Sequence, residues 1–236
     1  MASTETEKSN AGRGLRALPL MFRVIVAAIG AGLWFGTQAL IRSRPLPASS
    51  IGDGLHVLTA PLNFYFLQHP GAANALLIAS SAFVDGLTVF LLAGWILGRS
   101  IRPLLGLFIL LGLRQIMQGL CALPQPPNMI WHYPGFPSLL VTYSVANDFF
   151  FSAHTTIAVL GATELARLGR RWLKLAASVI VLFEASTVLV LRIHYTMDVF
   201  TAVIAALYVA HLADRISPRL DRKLSKYLGP FRNQRD

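Results

Sequence analysis

Hydrophobic and polar positions along this chain fall into long apolar blocks, with little of the alternation that marks strands. Six blocks stand out, at about 22–41, 72–97, 103–122, 149–166, 173–191 and 195–212. Each is close to the roughly 20 residues that carry a helix across a bilayer. Lipid offers backbone polar groups no partner, so spanning segments are expected to be helices; a barrel would show short alternating strands instead. The pattern predicts an all-α polytopic membrane protein, a six-transmembrane-helix bundle over residues 18–214. Residues 1–17 and 215–236 are expected to be basic tails, solvated over 220–236. The segment 43–71, "SRPLPASSIGDGLHVLTAPLNFYFLQHPG", is too broken by Pro and Gly to cross, and its aromatic residues suit a membrane interface.

The first block has the basic start and apolar centre of a signal peptide. Arg23 interrupts its beginning, however, and Trp34, Phe35 and Gln38 spoil a small-residue cleavage site, so it is expected to be a retained span. Composition agrees with the pattern. The chain is 54% hydrophobic and 14% charged, against about 25% charged in an average soluble domain. The single Cys121 excludes an internal disulfide.

Charge then orients the bundle. Lys8, Arg13 and Arg16 precede the first block; Arg99 and Arg102 follow the second; Arg167, Arg170, Arg171 and Lys174 follow the fourth. Arg215, Arg219, Arg222, Lys223, Lys226, Arg232 and Arg235 close the chain. These are 16 basic residues on one side, against Arg42, Arg44, Arg114 and Arg192, four, toward the other. The positive-inside rule puts both termini in the cytoplasm. The net charge of +10 is thereby accounted for by anionic lipid headgroups, and no nucleic-acid partner is implied.

Two stretches break the apolar pattern, "DFFFSAHTTIAVL" at 148–160 and "LRIHYTMDV" at 191–199. Ionisable groups at membrane depth are costly and mark functional sites. Counting ~1.5 Å per helical residue, Arg114, His154, Arg192, His194 and Asp198 fall at similar depth in the non-cytoplasmic half, each at a helix end. His194 and Asp198 are i, i+4 and would share a helical face. Such a carboxylate would fix the imidazole tautomer and leave the other ring nitrogen as base or nucleophile. Arg114 and Arg192 suit the fork geometry of a phosphate, and His154 could protonate a leaving oxygen. Together these groups make a phosphoryl-transfer site that needs neither metal nor cofactor. Asp85 and Glu184 read as protonated packing residues, the alternative being partners of the site. His56, His69 and His132 read as bystanders.

"FSAHT" at 151–155 and "HYTMD" at 194–198, with histidines 40 apart, resemble the two histidine motifs of the sphingomyelin synthase-like lipid phosphotransferases. These belong to the type-2 phosphatidic acid phosphatase superfamily. Arg192, two positions before the second histidine, is more similar to the plant phosphatidylcholine:diacylglycerol cholinephosphotransferase branch. The resemblance covers roughly 105–212. It implies His194 as nucleophile, Asp198 as its orienting carboxylate and His154 as proton donor. Asp148, Ser152 and Tyr195, polar neighbours at the two motifs, join Arg114 and Arg192 as substrate-binding candidates.

Three departures qualify the match. Ala153 stands where the family has glycine. The K-x6-R-P signature of the soluble phosphatases is absent, with Val188 in an arginine position. The segment "RQIMQGLCALPQPP" at 114–127 lacks the acidic residue of the sphingomyelin synthases. The implied activity moves a phospho-headgroup from a phospholipid donor to a lipid alcohol acceptor, diacylglycerol or ceramide, through a phosphohistidine. The same residues would serve a lipid phosphatase or phospholipase C-like hydrolase. A non-enzymatic lipid transporter would instead show broken helices in repeated halves. The headgroup, the acceptor and assembly into a homo-oligomer stay open at this point.

Overall fold

The computed structural model describes residues 20–43, 51–98, 100–143 and 149–227. The helices are α1 Leu20–Arg42, α2 Gly54–Leu58, α3 Ala60–Gln68, α4 Pro70–Ile96, α5 Arg102–Leu120, α6 Ala153–Ala166, α7 Arg171–Val190 and α8 Thr196–Tyr227. No strand occurs among the described residues, and the all-α class stands. α3, α4 and α5 each carry a proline in the first turn, where its missing N–H costs nothing.

Five helices, α1, α4, α5, α7 and α8, are long and apolar enough to cross a membrane, and the protein is an integral membrane protein. The fourth apolar block departs from expectation. It yields α6, only 14 residues long, which at ~1.5 Å per residue falls short of a bilayer core. The reason lies in its surroundings: α6 packs against α4, α5, α7 and α8. His154 through Gly161 are all buried. A helix wrapped by other helices needs apolar residues on every side but need not match the lipid thickness. Gly161 permits the closest of these approaches, since a Cβ there would lie 2.9 Å from Leu87.

The two ends of the bundle are held differently. At the end away from the histidines, Arg23 is buried and donates to the carbonyls of Trp95, Ile96 and Gly98, which terminate α4. The residue that breaks the first apolar block thus satisfies orphan carbonyls at a helix C-terminus. At the same end Arg102 forks onto Glu164 at 2.9 and 2.7 Å, and Arg167 joins Glu164 and Asp214. The last helix also runs further than the expected span to 212. Ala213, Ser217 and Asp221, four apart and buried, dock this extension. Asp221 accepts from the Ser100 hydroxyl and Ile101 N–H at 2.9 Å each. Residues 220–227 are therefore helical, with Arg222, Lys223 and Lys226 exposed.

Candidate active site

His194 is placed by the turn between α7 and α8. α7 ends at Val190, with Leu191 as C-cap, and closes through two bonds, Arg192 N–H to Leu189 C=O and Ile193 N–H to Val188 C=O. That pairing is a Schellman motif whose left-handed position, normally glycine, is Arg192 at φ 54°. α8 begins two residues after His194, at Thr196. The expectation of one helical face for His194 and Asp198 is corrected accordingly. His194 stands before the helix, and Asp198 is the third residue inside it. There its carboxylate reaches back to the Tyr195 N–H at 2.8 Å, half of a capping box.

The partner that fixes the imidazole is therefore not the carboxylate. His194 Nδ1 lies 2.7 Å from the Phe149 carbonyl and 3.7 Å from Asp198 Oδ2. A carbonyl only accepts, so Nδ1 carries the proton and the neutral ring keeps its lone pair on Nε2. Asp198, fully buried, accepts from the Tyr195 N–H and so holds the backbone beside His194.

His154 occupies the second position of α6. Its helix is capped by Ser152, whose hydroxyl oxygen accepts from Thr155 N–H at 3.3 Å. The ring meets Trp131 edge-on at 5.7 Å. Arg114, 1% exposed, comes from the last two turns of α5. Its Nε donates to the Phe151 carbonyl at 2.8 Å, and its guanidinium lies 5.6 Å from the Trp34 ring. His154, His194 and Arg114 line one cleft, bounded by Trp34, Gln38 and Trp131. A helix N-terminus, a guanidinium and two imidazoles around one space favour an anion.

Other expected site residues go elsewhere. Arg192 does not line this cleft. Its guanidinium donates to the carbonyls of Pro127 at 3.0 Å, in the α5–α6 connection, and His56 at 3.2 Å, in the α1–α4 connection, with the backbone left-handed at Arg192. Tyr195 is also drawn away: its ring stacks on His56 at 5.5 Å and its hydroxyl accepts from Ile51 N–H at 3.4 Å. Ser152 is consumed as a cap, and its own N–H bonds the Asp198 carbonyl at 3.4 Å. Asp148 lies outside the described residues. Asp85 accepts from Ser138 Oγ and from Leu139 and Leu140 N–H at 2.7–3.0 Å. It thereby ties down the connection between α5 and α6, whose Leu140, Val141 and Thr142 border the cleft. Glu184 joins α7 to α4 through the Ser80 hydroxyl at 2.6 Å.

Sequence reading gave Trp34, Gln38 and Trp131 no place in the site, because they look like ordinary span and interface residues until the helices are assembled. It also passed over Asp53 and read His56 as a bystander. The only local signal for Asp53 was an aspartate ahead of a short helix, and it does cap α2.

A family model described as AtPDCT1/2 matches residues 52–215. The chain belongs to the AtPDCT1/2 family. It is also 21% identical over 206 residues to phosphatidylcholine:diacylglycerol cholinephosphotransferase 1 of Arabidopsis thaliana. That alignment covers 87% of this chain and 65% of the relative, so the chain spans less than two thirds of that protein's length. No solved structure matches the chain. The AtPDCT1/2 match includes both histidine motifs, Arg114 and the α2–α3 segment that meets Arg192 and Tyr195.

Proposed function

We propose that this protein transfers a phospho-headgroup from a phospholipid to a lipid alcohol, with phosphatidylcholine and diacylglycerol as the donor and acceptor its relative's name suggests. The observation that carries the reading is the convergence of His154, His194 and Arg114 on one cleft, with His194 Nδ1 committed to a carbonyl. The Nε2 lone pair attacks phosphorus, and the bond from phosphorus to the diacylglycerol oxygen breaks. His154 gives that oxygen its proton. The acceptor hydroxyl then returns a proton to His154, attacks phosphorus, and releases Nε2. Arg114 stabilises charge on the non-bridging oxygens, and such electrostatic stabilisation supplies most of the rate acceleration in phosphoryl transfer. Arg192 braces the turn that carries the nucleophile.

The deciding experiment uses purified protein in vesicles holding choline-labelled phosphatidylcholine and a diacylglycerol of distinct acyl length. Label is expected in a new phospholipid of the acceptor's mass. Label released to water would identify a hydrolase, and label left on the donor would overturn the proposal.

The charge asymmetry supports an orientation with both termini cytoplasmic and the cleft on the opposite side. With Cys121 replaced by serine, single cysteines at Phe136 and Lys226, both exposed, should react with an impermeant maleimide from opposite faces of sealed vesicles. Labelling of both from one face would reverse the topology.

A further inference from the structure

The connection between α1 and α4 is spanned by α2 and α3, and its polar side chains converge on the backbone around His194. His56, 5% exposed, places Nε2 2.9 Å from the His194 carbonyl. Asp53 accepts from the Thr196 N–H at 2.5 Å through Oδ2 and from the Thr196 hydroxyl at 2.6 Å through Oδ1. The same Oδ1 accepts from Leu55 and His56 N–H at 2.9 and 3.1 Å, so one carboxylate caps α2 and α8 together. Arg192 returns a bond to the His56 carbonyl, and Tyr195 stacks on the His56 ring. Asn63, 1% exposed, donates to the Val190 carbonyl at 2.9 Å where α7 ends.

We propose that Asp53 and His56 are positioning residues for His194, a brace that holds the turn from 192 to 196 in the conformation the nucleophile requires; this rests on the transferase reading above. Every polar position of the second motif then has a stated task. His194 Nδ1 holds the Phe149 carbonyl, Tyr195 packs on His56, Thr196 bonds Asp53, and Asp198 caps its own helix. His194 lies between two helix ends with no periodic structure of its own, and its main-chain carbonyl is held by a side chain more than a hundred residues away. Burial alone would push the Asp53 carboxyl up. Hydrogen bonds from the Thr196 hydroxyl and N–H and from His56 N–H outweigh it and hold the group below the usual carboxylate range. The carboxylate is thus kept in the charged form that such donors and a helix N-terminus favour.

The test compares His56→Gln, whose amide N–H reaches a similar distance along the chain, with His56→Asn, which is shorter, and with Asp53→Ala. The first readout needs no substrate: the rate at which diethyl pyrocarbonate acylates His194, followed by peptide mass spectrometry. Release of the turn should raise that rate about fivefold or more in His56→Asn and Asp53→Ala and leave His56→Gln near the wild type. The second readout is turnover on labelled phosphatidylcholine. There kcat should fall about 100-fold in the same two variants with KM within twofold, as expected for a misplaced reacting group. His56→Gln should keep at least a tenth of wild-type kcat. Melting temperature reports whether each variant folds. Equal acylation in His56→Gln and His56→Asn, or a lowered melting temperature with unchanged His194 reactivity and kcat, would reduce the brace to simple loop docking. The expected acylation pattern in a protein whose wild type makes no lipid product would uphold the brace and overturn the transferase reading.

Discussion

His194→Ala is expected to form no phosphoenzyme and to turn over no donor, natural or activated. His154→Ala should behave differently. With phosphatidylcholine, whose diacylglycerol alkoxide leaves poorly without a proton, the rate should drop by about 10²–10⁴-fold. With a nitrophenyl phosphocholine donor, whose phenolate departs unprotonated, much of the release step should return. The separation follows from where the two rings sit. His194 Nδ1 is spent on the Phe149 carbonyl, which leaves Nε2 for the proposed attack, while His154 stands at the start of α6 against Trp131. Quench-flow with radiolabelled donor measures the first outcome, and release of nitrophenolate measures the second. Equal rescue of both variants, or phosphate trapped on His154, would reverse the roles.

Arg114→Lys should cost nearly as much, although it keeps the charge. The guanidinium spends Nε on the Phe151 carbonyl at 2.8 Å, packs 5.6 Å from the Trp34 ring and still lines the cleft. An ammonium has no planar fork with which to hold a carbonyl and a phosphate in one plane. Loss of one preorganised donor at a developing charge costs about 10²–10³ in kcat. In Arg114→Lys the fall should appear in kcat more than in KM, measured with vesicle-borne donor. Turnover within tenfold of wild type would move phosphate binding to another group.

Much of the fold was legible because lipid imposes a length on apolar segments. Five blocks became helices of spanning length for that reason. The fourth gave a helix of only 14 residues packed among other helices, since hydrophobicity reports burial without saying whether lipid or protein does the burying. The pair His194–Asp198 was found by spacing, but the i, i+4 inference assumed a helix already under way at 194. The helix starts at Thr196, so Asp198 caps it through the Tyr195 N–H and comes no nearer than 3.7 Å to His194 Nδ1. Arg192 was read by its charge, whereas its left-handed backbone decides where the guanidinium goes. The least legible parts are contacts to main-chain carbonyls. Phe149 and Phe151 hold the imidazole and the guanidinium through atoms that every residue has, so no residue type could have announced them.

The indole groups divide in a way that gives the cleft its own optical signal. Of the four tryptophans, Trp34 and Trp131 border the cleft. Trp95 is sealed at the far end beside Arg23, and Trp172 is 61% exposed. With phenylalanine at 95 and 172, all remaining indole emission would arise beside Arg114 and His154. Arrival of an anion or an acyl chain there becomes visible as a change in colour or intensity, without a label and without chemistry taking place.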